Sequence, residues 1–294
     1  MSIHTVILSY NHPEITARCL QSVLRHCSAD DVSLVHNGSQ AKFVAKLKAD
    51  FSSIRHLQLD ENRGFAGGTN FALNSVFEGR SQDESIKNDW VLFITNDCEL
   101  LSVGDLPKQP GLYAPLIYFR GTGRVDSIMG RFDPTRARLE HIKSSDNLHG
   151  RVYVPGTSFL IHRDVFLKVG GFDESLFTYW EDVDFSQRVH ECGFPVEHDP
   201  GFSLLHRVGK TCHKHSYYTS YLYHRNRRLV SRRYCPWPRR PQLETELFGA
   251  WIKHSLSLAR KKRWSDMRMI ALGYWRDELA GEGKAEPTLP GQSK

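Results

Sequence analysis

The chain has 294 residues, 40% hydrophobic and 24% charged, the composition of an ordinary soluble protein with room for one large α/β unit and an appendage. No run of eighteen apolar residues occurs, which argues against a membrane span, and the start MSIHTVILSYNHPE is too short and polar for a secretion signal, so a cytoplasmic location is expected. The net charge of +6 is uneven: residues 200–243 hold ten Lys/Arg and no acid, against 29 basic and 33 acidic residues elsewhere, which points to a local anionic partner rather than to nucleic acid.

Four apolar runs in the first third read as buried parallel strands: HTVILS (4–9), VSLVH (32–36), IRHLQL (54–59) and WVLFIT (90–95). Helical stripes separate the first three, with Ile15, Cys19, Leu20, Val23 and Leu24 in 14–27 and Phe43, Val44, Leu47 and Phe51 in 41–51. This alternation predicts βαβ units around a Rossmann-like, mostly parallel sheet. Beyond residue 100 the pattern loosens: strands are expected at 112–119 and 152–162, a loop-rich stretch at 120–150, and a helix at 181–191. Two further helices are expected at 216–234 and 244–280, split by PWPRRP (236–241), followed by a disordered tail. The six cysteines form no CxxC pair and read as reduced thiols.

In open parallel sheets, ligands bind beyond the carboxyl ends of the strands. Three polar clusters fall there: Ser9-Tyr10-Asn11, His36-Asn37-Gly38-Ser39 and Thr95-Asn96-Asp97. His36, at the end of the second strand, is expected beside the base or ribose of a bound nucleoside, accepting a hydrogen bond through its bare ring nitrogen and losing that capacity as pH falls toward 6. ENRGFAGGTN (61–70) is a glycine-rich loop entering a helix, where backbone N–H groups can approach phosphate. Its spacing is not GxGxxG, which disfavours NAD. Asp97, with oxygen donors beside it, suits a hard cation such as Mg²⁺ or Mn²⁺. His206 is a candidate second ligand; the nearby Cys212, His213 and His215 match no common zinc spacing.

GFDESLFTYWEDVDFSQR (171–188) interleaves five acids with five aromatic rings. Carboxylates held against apolar walls have shifted pKa values, as acid–base chemistry needs. On a helix from 181, Glu181, Asp184 and Arg188 share one face, a pattern that favours a structural ion-pair ladder for Asp184 and Arg188. Asp182 is turned about 100° away and is the better candidate base.

Taken together, VILSYN, HNGS, ENRGFAGGTN, TND, PGTSFLIHRDVFLKVGGFDESLFTYWEDVDFSQRV and HRVGKT resemble, in order, the motifs of family 2 glycosyltransferases of the GT-A fold, notably bacterial rhamnosyltransferase-like members. The resemblance spans residues 4–235. It implies a GT-A domain over 1–215, a basic helical region over 216–280 and a tail over 281–294. It also implies inverting transfer of a sugar, rhamnose among the candidates, from a nucleotide diphosphate donor to a surface glycan, lipid-linked or free. On this resemblance Ser9, Tyr10, Asn11, His36, Asn37, Asn62, Arg63, Gly64, Gly67, Gly68, Asn70, Asn96 and Asp97 would line the donor. Gly156, Trp180 and Glu181 would meet the acceptor, Asp182 would be the base, and Asp97 with His206 would hold Mg²⁺ or Mn²⁺. Two positions depart from the family pattern: Thr95 replaces the first acid of the metal motif, and His36 the acid of the second-strand motif. A catalytically inert sugar-nucleotide binder, a sugar nucleotidyltransferase and a nucleic-acid-binding protein, which would account for residues 200–243 but not for the acidic site, are the rival readings. The basic segment is expected to contact acceptor phosphate or, peripherally, the inner face of a membrane.

Overall fold

The computed structural model describes residues 3–77, 89–145, 148–206 and 217–275. β1 (His4–Ser9), β2 (Val32–Asn37), β3 (Arg55–Leu59) and β4 (Trp90–Thr95) pair in parallel in the order β3-β2-β1-β4. β1 and β2 are buried along their whole length, because both faces of the sheet are covered. α1 (Pro13–Val23) and α2 (Ala41–Asp50) lie on one face, where Leu20 and Leu47 join Ile7 and Leu34. α3 (Gly64–Phe77) lies on the other, where Ala66 and Leu73 join Val6, Leu8 and Val35. These elements match the sequence reading of a Rossmann-like sheet flanked by helices, with a helical C-terminal part.

The second half of the sheet is mixed. β11 (Ser158–His162) runs antiparallel to β4 and to β6 (Leu112–Phe119). β12 (Val196–His206) is parallel to β6, and β5 (Cys98–Ser102) closes that edge antiparallel to β12. β7 (Val125–Ser127) pairs with β6. The expected strand at 152–162 is two strands in two sheets. Pro155 and Gly156 separate β11 from β10 (Val152–Tyr153), which joins β8 (Met129–Asp133) and β9 (Arg138–Ile142) in a three-stranded antiparallel sheet. The hairpin of β8 and β9 occupies the middle of the stretch expected to be loop.

α4 (Arg163–Val169) precedes α5 (Glu181–Glu191), whose limits are those expected. α6 (Tyr217–Tyr234) is one helix, whereas 244–280 divides into α7 (Arg240–Arg260) and α8 (Trp264–Trp275) at Lys262, which has φ +54°. The last fourteen residues lie outside the described residues, as do Cys212, His213 and His215.

α6 is welded to α5 through Asp184. This buried carboxylate accepts from Arg188 Nε at 2.8 Å, from Tyr234 Oη at 3.1 Å, and from Arg233. The ion-pair reading of Asp184 and Arg188 therefore holds, but Glu181 takes no part in it. The α6 arginines correct the expectation that they face an anionic surface. Arg225 and Arg228 are buried, Arg227 donates to the Ala137 carbonyl, and Arg232 pairs with Glu244 at 2.7 Å. Their charge is used to dock the helical unit.

Candidate active site

The first acidic centre forms where β4, β7 and β12 end. Asp97 Oδ1 accepts from the Thr95 hydroxyl at 2.7 Å, so the threonine in place of an acid orients the one that remains. Asp97 Oδ2 lies 3.6 Å from His206 Nε2, although the two are far apart in sequence. His206 Nδ1 is 3.1 Å from Asp126 Oδ2. Donation of Nδ1–H to Asp126 leaves the Nε2 lone pair aimed at Asp97, the carboxylate–histidine arrangement typical of metal ligands. Burial opposes protonation of His206, but Asp97 and Asp126 outweigh it and raise its pKa. Cys98 Sγ also lies in the cluster with Asp97 and His206. Burial and the Asp97 charge push that thiol well above its ordinary pKa, which makes it the least available donor of the three. The usable donors are thus carboxylate oxygen and imidazole nitrogen, which fit Mn²⁺ and, less closely, Mg²⁺.

The second centre opens α5. Asp182 Oδ2 accepts from Gly156 N–H at 2.9 Å, and Oδ1 from Val183 N–H at 2.8 Å, which fixes the carboxylate plane. Burial raises the Asp182 pKa against these stabilising N–H groups. Glu181 is buried with Oε2 unpartnered, and burial plus the Asp182 charge push its pKa well up. Two carboxyl groups at one helix start thus differ: Glu181 favours the neutral form, while Asp182 is half-buried and anchored. Trp180 packs beneath them with Phe132, Tyr153 and Val230, so the small sheet and α6 both wall this centre.

The two centres meet at one turn. Thr157 O accepts both the Thr95 N–H and the Thr95 hydroxyl at 3.0 Å, while the adjacent Gly156 N–H binds Asp182. A Cβ on Gly156 would come within 2.9 Å of the Phe65 ring, so only glycine lets this turn reach both acids.

Strained backbone precedes Asp182. Phe177, Tyr179 and Trp180 all have left-handed φ, at 61°, 69° and 72°. Side chains with Cβ avoid that region unless surroundings impose it. Here the two N–H groups of Asn226 Nδ2 on α6 are shared among the carbonyls of Leu176, Thr178 and Tyr179 at 2.7–2.9 Å, and Ala66 N–H binds Phe177 O at 3.1 Å. Asn70 adds bonds to Phe172 N and O and to Glu174.

Several residues expected to line the donor serve this scaffold instead. Gly64, with φ +68°, lies where a Cβ would meet Phe177 O at 2.3 Å, and a Cβ on Gly68 would meet the Asn37 side chain at 2.8 Å. One on Gly67 would crowd Arg63 at 2.8 Å. The glycine loop is therefore held on this side by close protein contacts. Asn62 caps Gly64 N–H, and Asn37 binds Asn62, Gly64 O and Arg63 N–H. Asn96 and Ser9 turn into α1, both bonding Thr16. Tyr10 and Arg63 are exposed at the strand ends, and Asn11 is half-buried there, with its backbone and side chain bonded to Ser39 and Gln40.

His36 also departs from its expected place. Strand alternation turns it to the α2 face, where it is fully buried and stacked on His56. Phe51 O accepts from His56 Nε2 at 2.9 Å, so with both rings neutral His36 Nε2 donates to His56 Nδ1 at 3.0 Å. Burial and His56 lower the His36 pKa to about 4, so the expected loss of donor affinity below pH 6 does not follow from this ring.

Sequence reading missed Asp126, Thr157 and Asn226. Each acquires its role only through tertiary contact.

Comparison with known proteins agrees with this geometry. Residues 5–109 match the family model described as Glycosyl transferase family 2. The N-acetylglucosaminyl-diphospho-decaprenol L-rhamnosyltransferase of Mycobacterium tuberculosis is 26% identical over 203 residues, 60% of this chain and 66% of that protein. The teichoic acid poly(glycerol phosphate) polymerase of Staphylococcus epidermidis is 26% identical over 194 residues, 62% of this chain but 24% of that protein. The match therefore spans under two thirds of either relative's length. Among solved structures, GalNAc-T7 with UDP, GalNAc and Mn²⁺ superposes with a TM-score of 0.58 at 15% identity, covering 79% of this chain and 48% of that one. The Pyrobaculum calidifontis mannosyltransferase PcManGT with GDP-Man and Mn²⁺ gives 0.51 at 12% identity, covering 94% and 88%. Over residues 5–109 the chain is thus similar to glycosyl transferase family 2, and its fold is that of the GT-A enzymes it superposes on.

Proposed function

We propose that the protein is an inverting, metal-dependent glycosyltransferase that moves a sugar from a nucleotide diphosphate to a hydroxyl of a glycan acceptor. The observation that carries this reading is the Gly156–Thr157 turn, which ties Asp97 and Asp182 into one rigid unit. Asp97 and His206 would hold Mn²⁺ or Mg²⁺, which supplies neutralising charge to the departing diphosphate. Asp182 takes the proton from the acceptor hydroxyl as that oxygen attacks the anomeric carbon from the face opposite the leaving group. A raised pKa makes it a stronger base, and its two backbone N–H partners hold it in line. Trp180, expected to meet the acceptor, is buried among Phe132, Tyr153 and Val230 and supports the start of α5 from beneath instead. Burial and the Asp182 charge push the Glu181 pKa well up, while two backbone N–H groups favour the ionised form of Asp182, which suits Asp182 better to the role of base.

The mycobacterial relative's name supports a rhamnosyl donor and a lipid-diphosphate acceptor, and PcManGT and GalNAc-T7, solved with Mn²⁺, support Mn²⁺. Use of a nucleotide sugar is consistent with the cytoplasmic location expected from the sequence. The test is incubation with a panel of UDP-, GDP- and dTDP-sugars, with Mn²⁺ or excess chelator. Metal-dependent release of nucleoside diphosphate from one donor supports the reading; donor binding without release from any of them would leave a sugar-nucleotide-binding protein.

A further inference from the structure

We infer that the outward face of α7 lies on an anionic lipid surface. Phe248, Ile252 and Leu256 recur at i, i+4 and i+8 and stand 44%, 39% and 56% exposed. The same helix buries Leu243, Leu247 and Leu258 on its inner side, so it is apolar on two faces and packed on one. Trp264 opens α8 at 61% exposed. A contiguous apolar ridge left in water marks a contact surface.

Charge identifies the occupant. Lys253 and Arg260 flank the ridge, with Lys261, Lys262 and Arg268 beyond it; all are exposed, and no acid pairs with any of them among the described residues. The three acids between residues 235 and 275 are turned inward: Glu244 to Arg232, Glu246 to Arg138, and Asp266 to Arg263. A second copy across a twofold axis would set like charges against each other. An anionic bilayer satisfies both features, taking the apolar ridge to the acyl boundary and leaving the cations at the headgroups. No helix among the described residues is long and apolar enough to cross a membrane, so the contact is peripheral. This surface differs from the α6 arginines, which the fold consumes, and the inference does not rest on the transfer reaction.

Vesicle flotation of the full chain tests it. The protein should float with phosphatidylcholine vesicles containing phosphatidylglycerol, weakly with phosphatidylcholine alone, and less as salt rises. Phe248→Ser, Ile252→Ser and Leu256→Ser together should abolish flotation while circular dichroism and donor hydrolysis persist, since these side chains touch neither acidic centre. Lys253→Gln, Arg260→Gln and Lys261→Gln should each lower partitioning about fivefold. Equal flotation of wild type and the triple serine variant would overturn the inference. So would a wild-type dimer that ignores vesicles and that the triple variant splits, because a second copy then covers the ridge.

Discussion

Single residues here show how burial assigns different roles to similar groups. Glu181 and Asp182 are neighbours in sequence, yet one points into the core and the other meets two N–H groups. Because the folded pKa of Glu181 is raised above its ordinary 4.5, its ionised form costs stability. That cost is absent below the unfolded value, where both states are protonated, and grows as pH rises through the folded one. Glu181→Gln should therefore melt higher than wild type at neutral pH and converge with it as pH falls toward the ordinary carboxylate range. A constant difference across that range would deny Glu181 the role. Asp126 permits a second prediction. Its bond to His206 Nδ1 sets the tautomer, so Asp126→Asn should weaken Mn²⁺ affinity about 10–100-fold, read by calorimetry. An unchanged affinity would show that His206 does not ligate.

At the scale of elements, Asn226 shows how a helix outside the nucleotide-binding half supports the site. Asn226→Ala would strip three backbone carbonyls of their donor in a segment already held at left-handed φ. A loss of about 1–3 kcal/mol in urea unfolding is expected, together with a fall in turnover larger than any change in donor affinity. Full activity in that variant would mean that Trp180 and Asp182 are positioned without α6. Legibility follows the same physics. β1, β2 and β4 read clearly because burial on both faces demands continuous apolar runs, and α5 read to the residue because its amphipathic stripe is regular. β12 did not, since VEHDPGFSLLH is polar, carries Pro200 and Gly201, and shifts register between Asp199 and Ser203. β7 has three residues, too few for any period to show. The outward apolar ridge of α7 makes its periodicity run on toward α8, so two helices read as one.

For the whole molecule, the unit of function is the junction of its two halves. The parallel half brings Asp97, the mixed half brings His206, Asp126, Thr157 and Asp182, and the helical unit braces the last through Asn226 and Arg233. Asp97, Asp182 and His206 were legible as residue types in the sequence. Their assembly was not, because it depends on β5, β7 and β12, which carry little pattern. His36 misled for the converse reason: its residue type suits a ligand, but side-chain direction and close packing commit it to the protein. Asp182 is proposed to act as base across the Gly156–Thr157 turn from the metal centre. The most direct test of this role compares sugar-transfer turnover in Asp182→Asn and wild type at matched donor occupancy, with donor affinity measured alongside. The account predicts a fall of about 10²–10⁴ in turnover with donor affinity nearly unchanged; turnover close to wild type at equal donor occupancy would contradict it.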